Sequence, residues 1–111
     1  MIEEDLDWEG ARAKCEESGA QLASIHSSAE NNFVFNMIGN GWSWLGGNDI
    51  DGTYMWTDGT AWSYDNWGPG QPDIDAVDPE HCVTIGQLNE REKWNNDGCT
   101  EQSQSVCKRK L

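Results

Sequence analysis

Apolar residues recur at helical spacing near the start of the chain. Trp8, Ala11 and Cys15 fall on one stripe, Asp7 stands where an N-cap would, and Gly19 follows. A helix is therefore expected from about Asp7 to Ser18. Ala20 to Ile25 reads as a short strand. A second helix is expected to start at Ser27, which forms a capping box with Glu30. Phe33, Val34, Met37 and Ile38 supply its apolar face, and Gly39-Asn40-Gly41 ends it. Both helices read as scaffold.

The pattern changes after Gly41. Trp42, Trp44 and Leu45 open a tryptophan-rich stretch broken by turn signals: Asp51-Gly52, Asp58-Gly59 and Gly68-Pro69-Gly70-Gln71-Pro72-Asp73. From about Asn48 to Pro79 the chain is too long and irregular for an ordinary connection, and such loops are usually functional or disordered. The aromatics and the bracketing cysteines exclude disorder. Strand character returns at Cys82 to Ile85, at Lys93-Trp94, and at Ser105 to Lys108.

Length bounds the fold: 111 residues make one compact domain with a modest core. Seven tryptophans supply much of that core's area. The balance of 20 acidic to 7 basic side chains, a formal charge of -13, excludes nucleic acid, whose phosphates need a basic face. It also disfavours an anionic membrane surface, and no apolar run is long enough to span a bilayer. The acidic excess reads either as solvated surface or as carboxylates available to a hard cation. Cys15, Cys82, Cys99 and Cys107 form no C-x-x-C pair. Their even number and wide spacing fit two disulfides and an oxidising, extracellular setting, with the connectivity left open. Met1 is followed by Ile-Glu-Glu-Asp rather than a signal peptide, so the chain reads as a mature or excised domain.

The ordered landmarks resemble the C-type lectin-like family over nearly the whole length. They are Trp8-Glu9-Gly10-Ala11 with Cys15, Leu22-Ala23-Ser24-Ile25, and Trp44-Leu45-Gly46-Gly47, which is similar to the family's Trp-Ile-Gly-Leu signature. Trp56-Thr57-Asp58-Gly59, Trp67, Gln71-Pro72-Asp73, Glu80, Cys82, Trp94-Asn95, Cys99 and Cys107 follow. The resemblance implies an α+β C-type lectin-like fold: two helices flanking small antiparallel sheets, with a long metal-binding loop region. It implies a single domain over residues 1–111 whose usual first strand is truncated or absent, leaving only a stub. It also implies disulfides Cys15–Cys107 and Cys82–Cys99.

The resemblance further implies a calcium-bridged lectin for galactose or N-acetylgalactosamine glycans, with microbial-surface recognition in innate defence as the biological role. Its metal and sugar ligands would be Gln71, Asp73, Glu80, Asn95 and Asn96. Calcium takes six to eight oxygens from carboxylates, amide carbonyls and water, and two sugar hydroxyls can replace two waters. The Gln-Pro-Asp order goes with galactose-like ligands in the family. Asn96 stands where the family usually has an aspartate, which lowers the site's charge. A second set of family positions carries Asp49, Asp51, Glu80 and His81, and one histidine among carboxylates suits zinc better than calcium. The competing view of His81 is a hydrogen bond to a loop carboxylate. Two alternatives stay open: a zinc-dependent lectin, and a metal-independent protein-interaction domain with a degenerate sugar site. An enzyme is not expected, since no Ser/Cys–His–Asp arrangement or phosphate loop is apparent.

Overall fold

A computed structural model describes residues 2–71 and 81–109. The stub before the first helix is a strand, β1 (Ile2–Leu6), followed by α1 (Trp8–Glu17). Asp7 caps α1 by accepting from Gly10 N at 2.8 Å, and Gly19 leaves the helix at φ 80°, open to glycine without a Cβ penalty. β2 is only Gln21–Leu22, and just past it Ala23 N donates to Val106 O at 2.9 Å while Ala23 O accepts from Gly46 N at 2.8 Å. In α2 (Ser28–Met37), Ser27 accepts from Glu30 N at 3.1 Å. The reciprocal bond of the capping box is displaced by one residue: Glu30 accepts from His26 N at 2.7 Å.

The remaining elements are β3 (Ser43–Asn48), β4 (Met55–Trp56), β5 (Cys82–Ile85), β6 (Trp94–Asp97), β7 (Ser103–Ser105) and β8 (Cys107–Lys108). The main sheet runs β1-β7-β3-β5-β6, with β4 also on β3, and β2 pairs with β8 in a second small sheet. The pairs are antiparallel except β3 with β7, which run parallel. Both disulfides connect as the resemblance implied, Cys15 to Cys107 and Cys82 to Cys99.

Tryptophans organise two apolar clusters. Trp8 and Trp44 pack with Cys15, Leu22, Cys82 and Cys99 between α1 and the sheet. Trp56 and Trp94 pack with Ile25, Val34, Ile38, Leu45, Val83 and Ile85 on the other side. Three buried indoles find acceptors, Trp8 on Leu45 O, Trp44 on Leu6 O and Trp94 on Asn31 Oδ1, whereas the buried Trp56 Nε1 finds none among the described residues.

The inward face of α2 differs from the expected one. Val34 and Ile38 are 5% and 3% exposed, but Phe33 and Met37 are 67% and 38% exposed. The stripe turned to the core is Asn31, Val34 and Ile38, at i, i+3 and i+7. Asn31 holds the core position because its amide accepts from Trp94 Nε1 at 2.7 Å and donates to Glu92 O at 3.0 Å.

Candidate functional site

Gln71 ends a turn that is tied to β6. Trp67 bridges Trp94 in parallel. Gly68 N donates to Trp94 O, Trp94 N to Asn66 O, and Gln71 N back to Gly68 O, all within 3.0 Å. A side chain at Gly68 would require Leu88 to move, since a Cβ there would lie 2.2 Å from Leu88 Cδ1. The turn that ends at Gln71 is thus tied to Trp94, the first residue of the strand that carries Asn95 and Asn96. Asp73 and Glu80 lie outside the described residues.

The pleat of β6 separates its two asparagines. Asn95 pairs across with Thr84 and Asn96 with Val83. Asn96 is buried beside Trp94 and donates from Nδ2 to the Tyr54 hydroxyl at 3.3 Å. Burial, reinforced by the charge of Asp49, pushes the Tyr54 phenol up to about 12, so it stays neutral. Asn95 faces the opposite way, donating to Gln87 Oε1 at 2.9 Å. Asp97 shares that face and accepts from Gln87 Nε2 at 2.9 Å. Tyr54 and Gln87 were not legible as site neighbours. Tyr54 sits in the turn-rich stretch, and Gln87 follows the Gly86 bend at φ 103°, so the register joining Gln87 to Asn95 and Asp97 has no local signature.

Asp49 and His81 meet where the second metal set was expected. His81 Nδ1 lies 3.1 Å from Asp49 Oδ2, and His81 N donates to Asp49 Oδ1 at 3.2 Å. Among the described residues His81 Nε2 is buried with no hydrogen-bond partner. Asp51 is exposed on the adjoining turn, closed by Gly52 N on Asp49 O. Among the described residues no three His, Cys, Asp or Glu side chains gather closely enough to hold an ion.

The structure corrects one expectation: serine, histidine and aspartate do meet, away from this region. Ser24 Oγ donates to Asp58 Oδ2, and His26 Nε2 lies 3.1 Å from Ser24 Oγ. Lys108 Nζ donates to Ser24 Oγ at 3.2 Å and pairs with Glu30 at 2.9 Å. This wiring opposes nucleophilic catalysis, because the hydroxyl proton goes to the carboxylate, the hydroxyl accepts from a cation, and Ser24 is fully buried. Burial opposes ionisation of Asp58 and Glu30. Even so, the bonds from Ser24 and Thr60 to Asp58, and from Lys108 and His26 to Glu30, hold both carboxyls below their usual range. The cluster fastens β8 to α2 and to the turn after β4.

The frame, the two disulfides and the loop region define a lectin-type domain, and comparison with known proteins agrees. The profile of the Lectin C-type domain matches residues 4–109. The chain belongs to the C-type lectin domain family. It is 37% identical over 113 residues to the galactose-specific lectin nattectin of Thalassophryne nattereri, covering 96% of this chain and 69% of that protein. It is 38% identical over 104 residues to the versican core protein of Rattus norvegicus, covering 92% of this chain but only 4% of that protein. Among solved structures, herring type II antifreeze protein superposes with a TM-score of 0.89 at 32% identity, covering 99% of this chain and 87% of that one. The cow carbohydrate-recognition domain of CD23, solved in the presence of an oligosaccharide, gives 0.84 at 31% identity, covering 96% and 81%. The chain is a lectin-type domain and not an enzyme. No helix among the described residues is long and apolar enough to cross a membrane.

Proposed function

We propose that this domain binds galactose-type glycans through a calcium ion held by Gln71, Asp73, Glu80 and Asn95, with Asn96, whose side chain lies on the other face of β6, as the neighbouring candidate whose charge tunes the ion's affinity, in an extracellular setting. The observation that carries the reading is the hydrogen bonding of the Gly68–Gln71 turn to Trp94, immediately before Asn95 and Asn96. The donor set fits the ion: every candidate group offers oxygen, from two carboxylates and three amides, and calcium prefers such hard ligands at about 2.3–2.6 Å. When bound, the ion supplies a centre on which neighbouring sugar hydroxyls replace water. The chain's own groups do the rest. Asp73 and Glu80 would accept hydrogen bonds from the hydroxyls, and Gln71 would donate one from its amide. The Gln71-Pro72-Asp73 order and the likeness to a galactose-specific lectin support galactose over mannose. Two disulfides support an oxidising compartment.

The test is calcium binding followed by calorimetry, with Glu80→Ala as the variant. Loss of binding in Glu80→Ala is expected. Retention there, or sugar binding unaffected by chelator, contradicts the reading, and a preference for mannose contradicts the reading of the motif.

Zinc is a second reading, supported by His81. Its Nδ1 beside Asp49 and its Nε2, buried and partnerless among the described residues, resemble a histidine oriented by a carboxylate for metal binding. In this reading Asp49 orients the ring, with Asp51 and Glu80 as the other members of the proposed set. His81→Ala would abolish zinc binding while leaving calcium binding; equal zinc affinity without His81 rules zinc out. Asn96, neutral where the family usually has a charge, supports the remaining alternative, a metal-independent interaction domain.

A further inference from the structure

We propose that Asp97 fixes the polarity of the Asn95 amide through Gln87, so that Asn95 turns its carbonyl oxygen, and not its NH2, toward the ion. The inference rests on the metal reading above and assigns Gln87 as a positioning residue.

An asparagine amide is nearly symmetric in shape, so only its neighbours determine which end faces a cation. The oxygen end ligates; the NH2 end repels. The chain of bonds starts at a group with no ambiguity. An ionised carboxylate can only accept. Asp97 Oδ2 lies 2.9 Å from the Gln87 amide, and its Oδ1 accepts from Gly98 N at 2.8 Å. The end of Gln87 facing Asp97 must therefore be its nitrogen. Its oxygen then faces the other way, where Thr84 Oγ1 donates to it at 2.7 Å. The Thr84 hydroxyl is fully buried and anchors that oxygen from within the sheet. Asn95 meets the same oxygen at 2.9 Å, so the end it presents must be its nitrogen. Its carbonyl is left on the side away from Gln87. One charge thus sets a ligand's orientation two residues along the strand. The hairpin makes this possible, because Cys82 pairs with Asp97 and Thr84 with Asn95, so all three side chains of the relay's ends lie on one face of β5–β6.

Such outer hydrogen bonds typically change metal affinity by about 10–100-fold when removed. Two charge-neutral changes separate the relay from simple electrostatics. Gln87→Met removes both ends of the bridge. The pair Gln87→Glu with Asp97→Asn reverses it: the new amide donates to the new carboxylate, which still accepts from Thr84 and Asn95. In metal-free protein, NMR of side-chain amides should show slow exchange of the Asn95 NH2 protons in the parent and in the pair, and faster exchange in Gln87→Met. Calorimetry with calcium chloride should show Gln87→Met about tenfold or more weaker, and the pair close to the parent. Asn95 exchange unmoved by Gln87→Met, or calcium affinity unmoved when exchange does move, overturns the relay. Absence of calcium binding by the parent overturns the metal reading instead, and with it any role of the relay toward the ion.

Discussion

Asn31 is an amide where the period of α2 calls for an apolar side chain, and its reason lies 63 positions away in the Trp94 indole. Removing the acceptor strands a buried N–H, which costs about 2 kcal/mol. Asn31→Leu should therefore lower the unfolding free energy measured in urea by about 2 kcal/mol, while Phe33→Ser, on the exposed side of the same helix, should stay within about 0.5 kcal/mol. Equal losses in the two variants would contradict this assignment of faces. No local pattern could place Phe33 outside and Asn31 inside, because the choice depends on a partner from a distant strand. Asn96 is the parallel case in the loop region. Its identity as a neutral residue at a charged family position was legible, but its bond to Tyr54 was not. Asn96→Asp restores a charge, and the neutral Tyr54 hydroxyl can donate to the new carboxylate. Calcium affinity measured by calorimetry should rise; an unchanged value would place residue 96 outside the ligand set.

At the scale of elements, what was read best is what is local. The caps of α1 and α2 involve residues three apart, so Asp7 and Ser27 announced both helix starts. The short strands were read less well. β6 extends to Asp97 and β7 ends at Ser105 before β8 begins, breaks set by pairing with partners far along the chain. The attachment of β8 was also invisible, because Ser24, Glu30, Asp58 and Lys108 come from four separate segments. Its consequence is a pH dependence. Asp58 and Glu30 titrate below their ordinary values of 3.8 and 4.5 in the folded chain. The stability they contribute is present above those values and is lost as pH falls through the lower folded ones. Thermal melts should show a midpoint that is level near neutrality and falls below about pH 4. Lys108→Met should remove part of that fall and lower the neutral midpoint, through a loss of about 1 kcal/mol for a partly exposed pair. An unchanged acid limb in Lys108→Met would contradict the role given to the cluster.

Over the whole molecule, the two crosslinks divide the work. Cys15–Cys107 closes a separation of 92 residues and Cys82–Cys99 one of 17. On a chain-entropy model they contribute about 4–5 and about 3 kcal/mol. Replacing Cys82 and Cys99 by alanine should lower stability by about 3 kcal/mol in denaturant unfolding and should weaken calcium binding, since this bridge holds the strands that carry residues 82 to 97. The pairings came from ordered family landmarks rather than from spacing. The likeness of this frame to both a galactose-specific lectin and an antifreeze protein shows that the fold alone does not settle the ligand. In the proposed reading that decision falls to a few oxygens around Gln71 and β6. A calorimetric titration of galactose into the domain, run once with calcium and once with chelator, tests this most directly. The account predicts weak saturable binding with calcium and none with chelator; binding of equal strength in both, or no binding in either, would contradict it.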